Sequence, residues 1–283
     1  MAKSLIGKTV AISGATGGIG RELCFLLAES GARLILLDRN PKKSEALEAE
    51  LKESFPELEV ERITVDLEDA RAVKDAVRAL KEIPLDALIL NAGAYKIPRH
   101  KCDTGYDNIY QINFVSPYYL SRVLAPHIEE RGGKIVAVGS IAHNYSHIDE
   151  NDIDFSTRKR HSKVYGNAKR YLMFSLFGLF EGRTALTVAH PGITLTNITS
   201  HYPKFLYFFM KPVMKIIFMK PKKACLSIYE ALFENTKKNE WIGPRFFNVW
   251  GKPKKQILKT CSAEEARKIC EIADEVYQRM EEI

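Results

Sequence analysis

The chain has 283 residues, 46% of them hydrophobic, with a formal net charge of +7 and five cysteines. That length is enough for one sizeable α/β domain. The charge suits an anionic cofactor or a membrane surface; it is modest for a nucleic-acid binder and no nucleic-acid motif accompanies it, so no nucleic-acid partner is expected. Cys24, Cys102, Cys225, Cys261 and Cys270 show neither a metal-ligand spacing nor a disulfide framework, and "MAKSLIGKTV" lacks the apolar core of a secretory signal. The expected setting is therefore reducing and cytoplasmic, with no bound metal. No linker, repeat or low-complexity tract divides the sequence, and residues 1–283 read as a single domain.

In chain order, "TVAIS" (9–13) reads as a short buried strand and "GRELCFLLAESG" (20–31) as an amphipathic helix. Between them, "ISGATGGIG" sets Gly14, Gly18 and Gly20 in a strand-to-helix turn. Such a turn aims unpaired N–H groups and the positive end of the helix dipole at whatever lies beyond it, so it reads either as a phosphate-holding loop or as an ordinary βα turn. The next runs are "RLILLD" (33–38), "EVERITVD" (59–66), "DALILN" (86–91), "KIVAVGS" (134–140) and "ALTVAHPG" (185–192). They are apolar at nearly every position and alternate with helical stretches, which predicts a parallel, doubly wound α/β sheet with helices on both faces. Ligands in such sheets bind beyond the carboxyl ends of the strands.

Several strand ends carry polar residues. Asp38 closes the second run, 24 residues past Gly14 (38 − 14), where a carboxylate can accept hydrogen bonds from an adenosine ribose and repel a 2′-phosphate. That favours NAD. Arg39 beside it argues for NADP, since a guanidinium pairs with that phosphate. Asp66 ends the third run, Asn91, Ala92 and Gly93 form a tight turn after the fourth, and Pro191 and Gly192 lead to Ile193 and Thr196 after the last. Each alone is ordinary turn chemistry; their shared position is the informative part.

Acid–base chemistry is expected between residues 113 and 169. Tyr165 and Lys169 in "VYGNAKRYL" are four apart and share a helix face. An ammonium beside a phenol stabilises the phenolate, lowering its pKa from about 10 toward neutrality. Tyr207 and Lys211 repeat the spacing, but Pro212 follows at once and disfavours a continuing helix. Ser140 ends the strand "KIVAVGS", where its hydroxyl can reach a carbonyl or alkoxide. Asn113, in the predicted helix "YQINFVSPYYL", is either a functional amide or a satisfied buried one.

"SGATGGIG", "NAG" at 91–93, Asn113, "GS" at 139–140, "YGNAK" and "HPGITLT", in this order over roughly residues 5–200, resemble the short-chain dehydrogenase/reductase family in its single-domain form. The resemblance implies a Rossmann-like fold and a catalytic tetrad of Asn113, Ser140, Tyr165 and Lys169. It also implies cofactor contacts from Gly14, Thr16, Gly18, Ile19, Gly20, Asp38, Arg39, Asp66, Leu67, Asn91, Ala92, Gly93, Tyr165, Lys169, Pro191, Gly192, Ile193 and Thr196. Two departures are visible: Ser13 stands where the family usually has Thr, and Gly139 where it often has Ser. The function implied is an NAD(P)-dependent interconversion of an alcohol and a carbonyl, with NAD favoured and NADP the alternative cofactor. The alternatives are a non-catalytic dinucleotide-binding regulator and a nucleotide-sugar epimerase or dehydratase.

The 25 residues from Ser140 to Tyr165 (165 − 140), the "HNYSHIDENDIDFSTRKRH" within them and the tail "FFNVWGKPKK" resemble the retinol-dehydrogenase-like branch. This implies a lipophilic substrate such as a steroid, retinoid or lipid. A variable substrate-binding lobe is expected around 197–225. Within it, "HYPKFLYFFMKPVMKIIFMKPKK" (201–223) interleaves large apolar side chains with Lys204, Lys211, Lys215, Lys220, Lys222 and Lys223. It is too interrupted to span a bilayer, which leaves a lid, a peripheral membrane contact, or an interface in a homodimer or homotetramer.

Overall fold

Each run becomes a strand of one sheet, and those covered on both faces are apolar almost throughout, whereas the edge run 60–64 is only half-buried and keeps Glu61 and Arg62. The structure, a computed structural model, describes residues 3–193 and 219–283. Strands β1 (Thr9–Ser13), β2 (Arg33–Asp38), β3 (Val60–Thr64), β4 (Ala87–Leu90), β5 (Lys134–Val138) and β6 (Leu186–Ala189) pair in parallel. Two further strands, β7 (Glu240–Phe246) and β8 (Trp250–Ile257), extend the sheet to the order β3-β2-β1-β4-β5-β6-β7-β8. β7 is parallel to β6 but β8 folds back antiparallel, so the wholly parallel sheet expected from the sequence is corrected at this edge. Gly243, Pro244 and the lysines of "WGKPKK" hide the pair from a search for apolar runs. β8 is the edge strand, whose water-facing side can carry the lysines, and Gly243 and Pro244 lie past Trp241 and Ile242, the β7 residues that pair with β6.

Alternate residues of each strand feed two core layers. Ile12, Leu34 and Leu36 pack on Leu23, Leu47 and Ile228 from α1 (Gly18–Glu29), α2 (Pro41–Ser54) and α6, which spans Pro221–Ala231. Ala11, Ile35 and Leu88 pack in the opposite layer with α3 (Ala70–Lys81), α4 (Ser116–Glu129), α5 (His161–Leu179) and α7 (Ala263–Glu282). The strand order reverses at β1, between β2 and β4, and opens a crevice at the carboxyl ends there.

The terminal helix α7 was not among the expected elements. Its buried stripe, Ile269, Ala273, Val276 and Met280, steps by four, three and four residues, a helical period that seals it onto the sheet's cover. Ser262 caps it by accepting from the Glu265 N–H at 3.1 Å. The Glu265 carboxylate in turn receives Arg170 of α5, whose Nε donates to it at 2.7 Å and whose side chain is fully buried. A Cβ on Gly178 would lie 2.3 Å from Cys270 Sγ, so only glycine allows the two helices to meet this closely. Glu265→Ala leaves the Arg170 guanidinium buried without its partner and is expected to lower stability by about 3 kcal/mol in urea unfolding. The double change Arg170→Met with Glu265→Leu is expected to recover most of that loss.

Candidate active site at the carboxyl edge

The glycine loop takes the shape a bound anion requires. Gly14 sits at φ +66°, and a Cβ there would be 2.9 Å from Ala92 Cα; a Cβ on Gly20 would be 2.2 Å from the Gly14 carbonyl oxygen. α1 starts at Gly18 with no side-chain cap and no acid in its first turn, whereas Asn40 and Asp69 cap α2 and α3. The N–H groups of Gly18, Ile19 and Gly20 therefore have no intrahelical acceptor and form a cradle that fits a pyrophosphate. Asn91 ties β4 to this loop, donating from Nδ2 to the Ser13 and Gly14 carbonyls at 3.0 Å each. Ser13 keeps the hydroxyl that matters here: its Oγ accepts from the Ala92 N–H at 3.0 Å.

Asp38 is buried at the tip of β2, and both its oxygens are engaged within the chain. One accepts from the Thr16 N–H at 3.1 Å and Thr16 Oγ1 at 3.0 Å, the other from Ser44 Oγ at 3.3 Å. Burial raises its carboxyl above the ordinary range even though these bonds pull the other way. Arg39 is exposed and leans toward Asp66 (4.0 Å) and Glu68 (3.7 Å). Leu67 is buried, and its carbonyl accepts from Ser116 Oγ at 2.6 Å. Beside them His100 Nε2 lies 2.9 Å from Glu68, with Cys102 in the same group, a juxtaposition of possible ligands that the cysteine spacing alone did not show.

Lys169 lies at the centre of the site. Fully buried on α5, it donates from Nζ to the Val138 carbonyl at 2.9 Å and stands 5.8 Å from the centre of the Tyr165 ring. Burial pushes its ammonium down to about 8. Burial pushes the Tyr165 phenol up to about 12, against a hydrogen bond with the Ser140 side chain that lowers it. Low dielectric therefore disfavours the charged form of both members of the pair, with the Ser140 hydroxyl opposing the shift at the phenol and the Val138 carbonyl the one acceptor recorded for the ammonium among the described residues. Ser140 lies two residues past the end of β5, in extended backbone (φ −151°, ψ 143°), capping a 3₁₀ turn over Ile141–Tyr145. Gly139 precedes it because a Cβ there would be 2.9 Å from Met173 Sδ.

Asn113 sits in a π-helical turn, Gln111–Val115, just ahead of α4. Its side chain is satisfied within the chain, with Nδ2 donating to the Ala94 and Ile109 carbonyls at 2.8 Å each. Pro117 removes the N–H that the Asn113 carbonyl would receive in an α-helix, which accounts for the local widening. Gly93 faces it, since a Cβ there would lie 2.9 Å from Asn113 Oδ1 and 3.8 Å from Lys169 Nζ. Pro191, Gly192 and Ile193 follow β6 as expected; Thr196 lies outside the described residues, as do Tyr207, Lys204, Lys211 and Lys215.

Three positions in the site escaped the sequence reading. Tyr95 meets the Tyr165 ring edge-on at 5.4 Å, and its place directly after "NAGA" is the one signal for it. His143 holds the Ser140 carbonyl through Nδ1 at 2.6 Å and meets Thr260 Oγ1 through Nε2 at 2.8 Å, a contact across the fold that spacing does not encode. His161, one turn ahead of Tyr165, lines an open recess of about 460 Å³ with Lys96, Ile97, Pro98 and Arg99.

The sequence pattern of the short chain dehydrogenase family matches residues 8–150. The chain belongs to that family. Retinol dehydrogenase 12 of Mus musculus is 32% identical over 203 residues, covering 68% of this chain and 63% of that protein, in keeping with the retinol-dehydrogenase-like branch. The chain spans 61% to 64% of the length of several curated relatives it matches. A short-chain dehydrogenase from Sphingobium yanoikuyae in complex with NADPH superposes with a TM-score of 0.56 at 26% identity, covering 68% of this chain and 73% of that one. An uncharacterized protein from Mycobacterium paratuberculosis shares the fold over 99% of this chain and 94% of its own, with a TM-score of 0.72 and 23% identity.

The depressed Lys169 ammonium makes a prediction about stability. Between pH about 8 and the ordinary lysine value of 10.5, the unfolded chain holds a proton that the folded chain lacks, so stability rises with pH across that window. Lys169→Met is expected to flatten that rise and to gain on the order of 1–3 kcal/mol at pH 7, where it removes a dehydrated cation. Urea unfolding at pH 7 and 9.5 measures both; a variant less stable than wild type at pH 7 contradicts the reading.

Proposed function

We propose that the chain is an NAD(P)-dependent oxidoreductase that interconverts an alcohol and a carbonyl on an apolar substrate, working as one domain. The convergence of Ser140, Tyr165 and Lys169 at the carboxyl edge, beside a loop shaped for a pyrophosphate, carries this reading. In the oxidative direction Tyr165 removes the hydroxyl proton, Ser140 steadies the oxygen, and Lys169 stabilises the phenolate and would hold the nicotinamide ribose. The dinucleotide, when bound, supplies the hydride acceptor or donor. Asn113 serves through its carbonyl, which can hold a water behind Lys169 for proton exchange.

NAD is the favoured cofactor. Asp38, at the tip of β2, would hold its carboxylate toward the adenosine ribose and repel a 2′-phosphate, and Arg39 is drawn toward Asp66 and Glu68. NADP is the alternative, supported by Arg39 and by the NADPH in the Sphingobium relative. The apolar substrate class rests on the retinol dehydrogenase likeness. Peripheral membrane contact through 201–223 and a homodimer or homotetramer belong to the same proposal; of that segment the exposed Lys220, Lys222 and Lys223 lie at the start of α6. No helix of the described residues is long and apolar enough to cross a membrane.

A cofactor-reduction screen over retinoids, sterols and simple secondary alcohols tests the activity. Tyr165→Phe is expected to lower turnover by about 10³-fold while leaving cofactor affinity nearly intact, and Tyr207→Phe to leave both unchanged. Equal damage from the two substitutions would overturn the assignment. Asp38→Ala is expected to raise the NADP:NAD ratio of kcat/KM about tenfold. It should also weaken both cofactors, because Thr16 loses its acceptor. A wild-type preference for NADP sinks the cofactor reading.

A further inference from the structure

The β7–β8 hairpin ends in a tight turn at residues 246–249, closed by the Val249 N–H donating to the Phe246 carbonyl at 3.0 Å. Both central residues are left-handed, Phe247 at φ 52° and Asn248 at φ 57°. That turn geometry is built for Asn-Gly or Asp-Gly, and a bulky aromatic at its first central position is strained. The closed turn nonetheless holds Phe247 at the apex with 84% of its surface exposed, flanked by Phe246 at 50% and Trp250 at 46%. Phe247 meets Trp250 edge-on at 6.4 Å, so the exposed rings form one patch and are not scattered.

Cations frame this patch. Arg245, Lys252 and Lys254 are exposed, and none has a carboxylate within ion-pair distance among the described residues. The stretch 241–260 holds five basic residues and no acid. β7 runs parallel to β6, so the turn lies at the same carboxyl edge as Ser140 and Lys169. It is fixed there, since His190 Nε2 donates to the Asn248 carbonyl at 3.0 Å and a Cβ on Gly192 would lie 2.7 Å from the Val249 oxygen.

We propose that this hairpin tip is a membrane-insertion element, seating Phe246, Phe247 and Trp250 in the interface of an anionic bilayer while Arg245, Lys252 and Lys254 meet its headgroups. Aromatic side chains favour that depth, and basic side chains around them gain from anionic lipid within a Debye length. A second copy of the chain fits less well, because it would bring the same cations together. The tip is rigidly joined to the end of β6, so insertion holds the carboxyl edge beside the bilayer. The contact does not depend on the redox chemistry.

The chain reports on this itself, because Trp241 is buried and Trp250 is its other tryptophan. The protein is mixed with vesicles of phosphatidylcholine containing phosphatidylserine at a 7:3 ratio, with brominated acyl chains as quenchers. The expected result is salt-sensitive binding with quenched, blue-shifted emission. Phe247→Gly relieves the left-handed strain and is expected to keep or raise the melting temperature while weakening vesicle binding about tenfold. Changing Arg245, Lys252 and Lys254 together to Gln is expected to weaken it more, at roughly fivefold per cation. Absence of binding, binding without Trp250 quenching, or equal binding by Phe247→Gly overturns the proposal. So does a vesicle-independent dimer abolished by Phe247→Gly, which would assign the patch to a second copy of the chain. Turnover on a water-soluble alcohol, measured separately, is expected to be unchanged in both variants.

Discussion

The site depends on one constraint: a lysine ammonium must be kept almost free of water next to a phenol. Among the described residues Lys169 has one carbonyl acceptor, that of Val138, and its burial costs the fold stability at neutral pH. Such a placement persists only where surrounding packing over-determines it. The same low dielectric raises the Tyr165 phenol, so the two groups resist ionisation singly and gain by ionising together. Exposed lysine and tyrosine four residues apart on a helix would interact far more weakly.

The scaffold converges on that pair from four directions. Glycine at 93 lets the turn after β4 approach Asn113 and Lys169, and Pro117 opens the helix in which Asn113 sits. On the far side, His143 fixes the Ser140 carbonyl and leans on Thr260; burial lowers the proton affinity of its imidazole, which favours the form that donates from one nitrogen and accepts at the other. Arg170, the next residue after Lys169, points away from the site into Glu265. One helix thus carries the buried cation proposed for the chemistry and, next to it, a cation that holds the terminal helix. Because α7 is clamped to α5 in this way, loosening the end of the chain would disturb the helix that sets Tyr165.

How much of this could be read from residues alone follows from burial. β1, β2, β4, β5 and β6 announced themselves because both of their faces are covered, and the half-buried edge strand β3 was still legible, whereas β7 is interrupted by Gly243 and Pro244 and β8 carries lysines that an edge tolerates. The glycine loop and the Tyr165–Lys169 pair are local in sequence, so spacing reveals them. Contacts such as His143 with Thr260, or Arg170 with Glu265, join residues about a hundred positions apart and leave no periodic trace. Asp38 shows the limit differently: its place at the tip of β2 was legible, but not that Thr16 and Ser44 would occupy its oxygens. Nor does the spacing rule weigh burial, which here raises the phenol that the lysine is meant to lower.

The central claim is that Lys169 sets the proton affinity of Tyr165. It is tested most directly by titrating the protein, saturated with the dinucleotide, after labelling its tyrosines with ¹³C at the ring carbon bearing the hydroxyl. Tyr165→Phe identifies the resonance. The account predicts that the Tyr165 phenol loses its proton at least about one pH unit lower in wild type than in Lys169→Met. Identical titrations in the two proteins would contradict it.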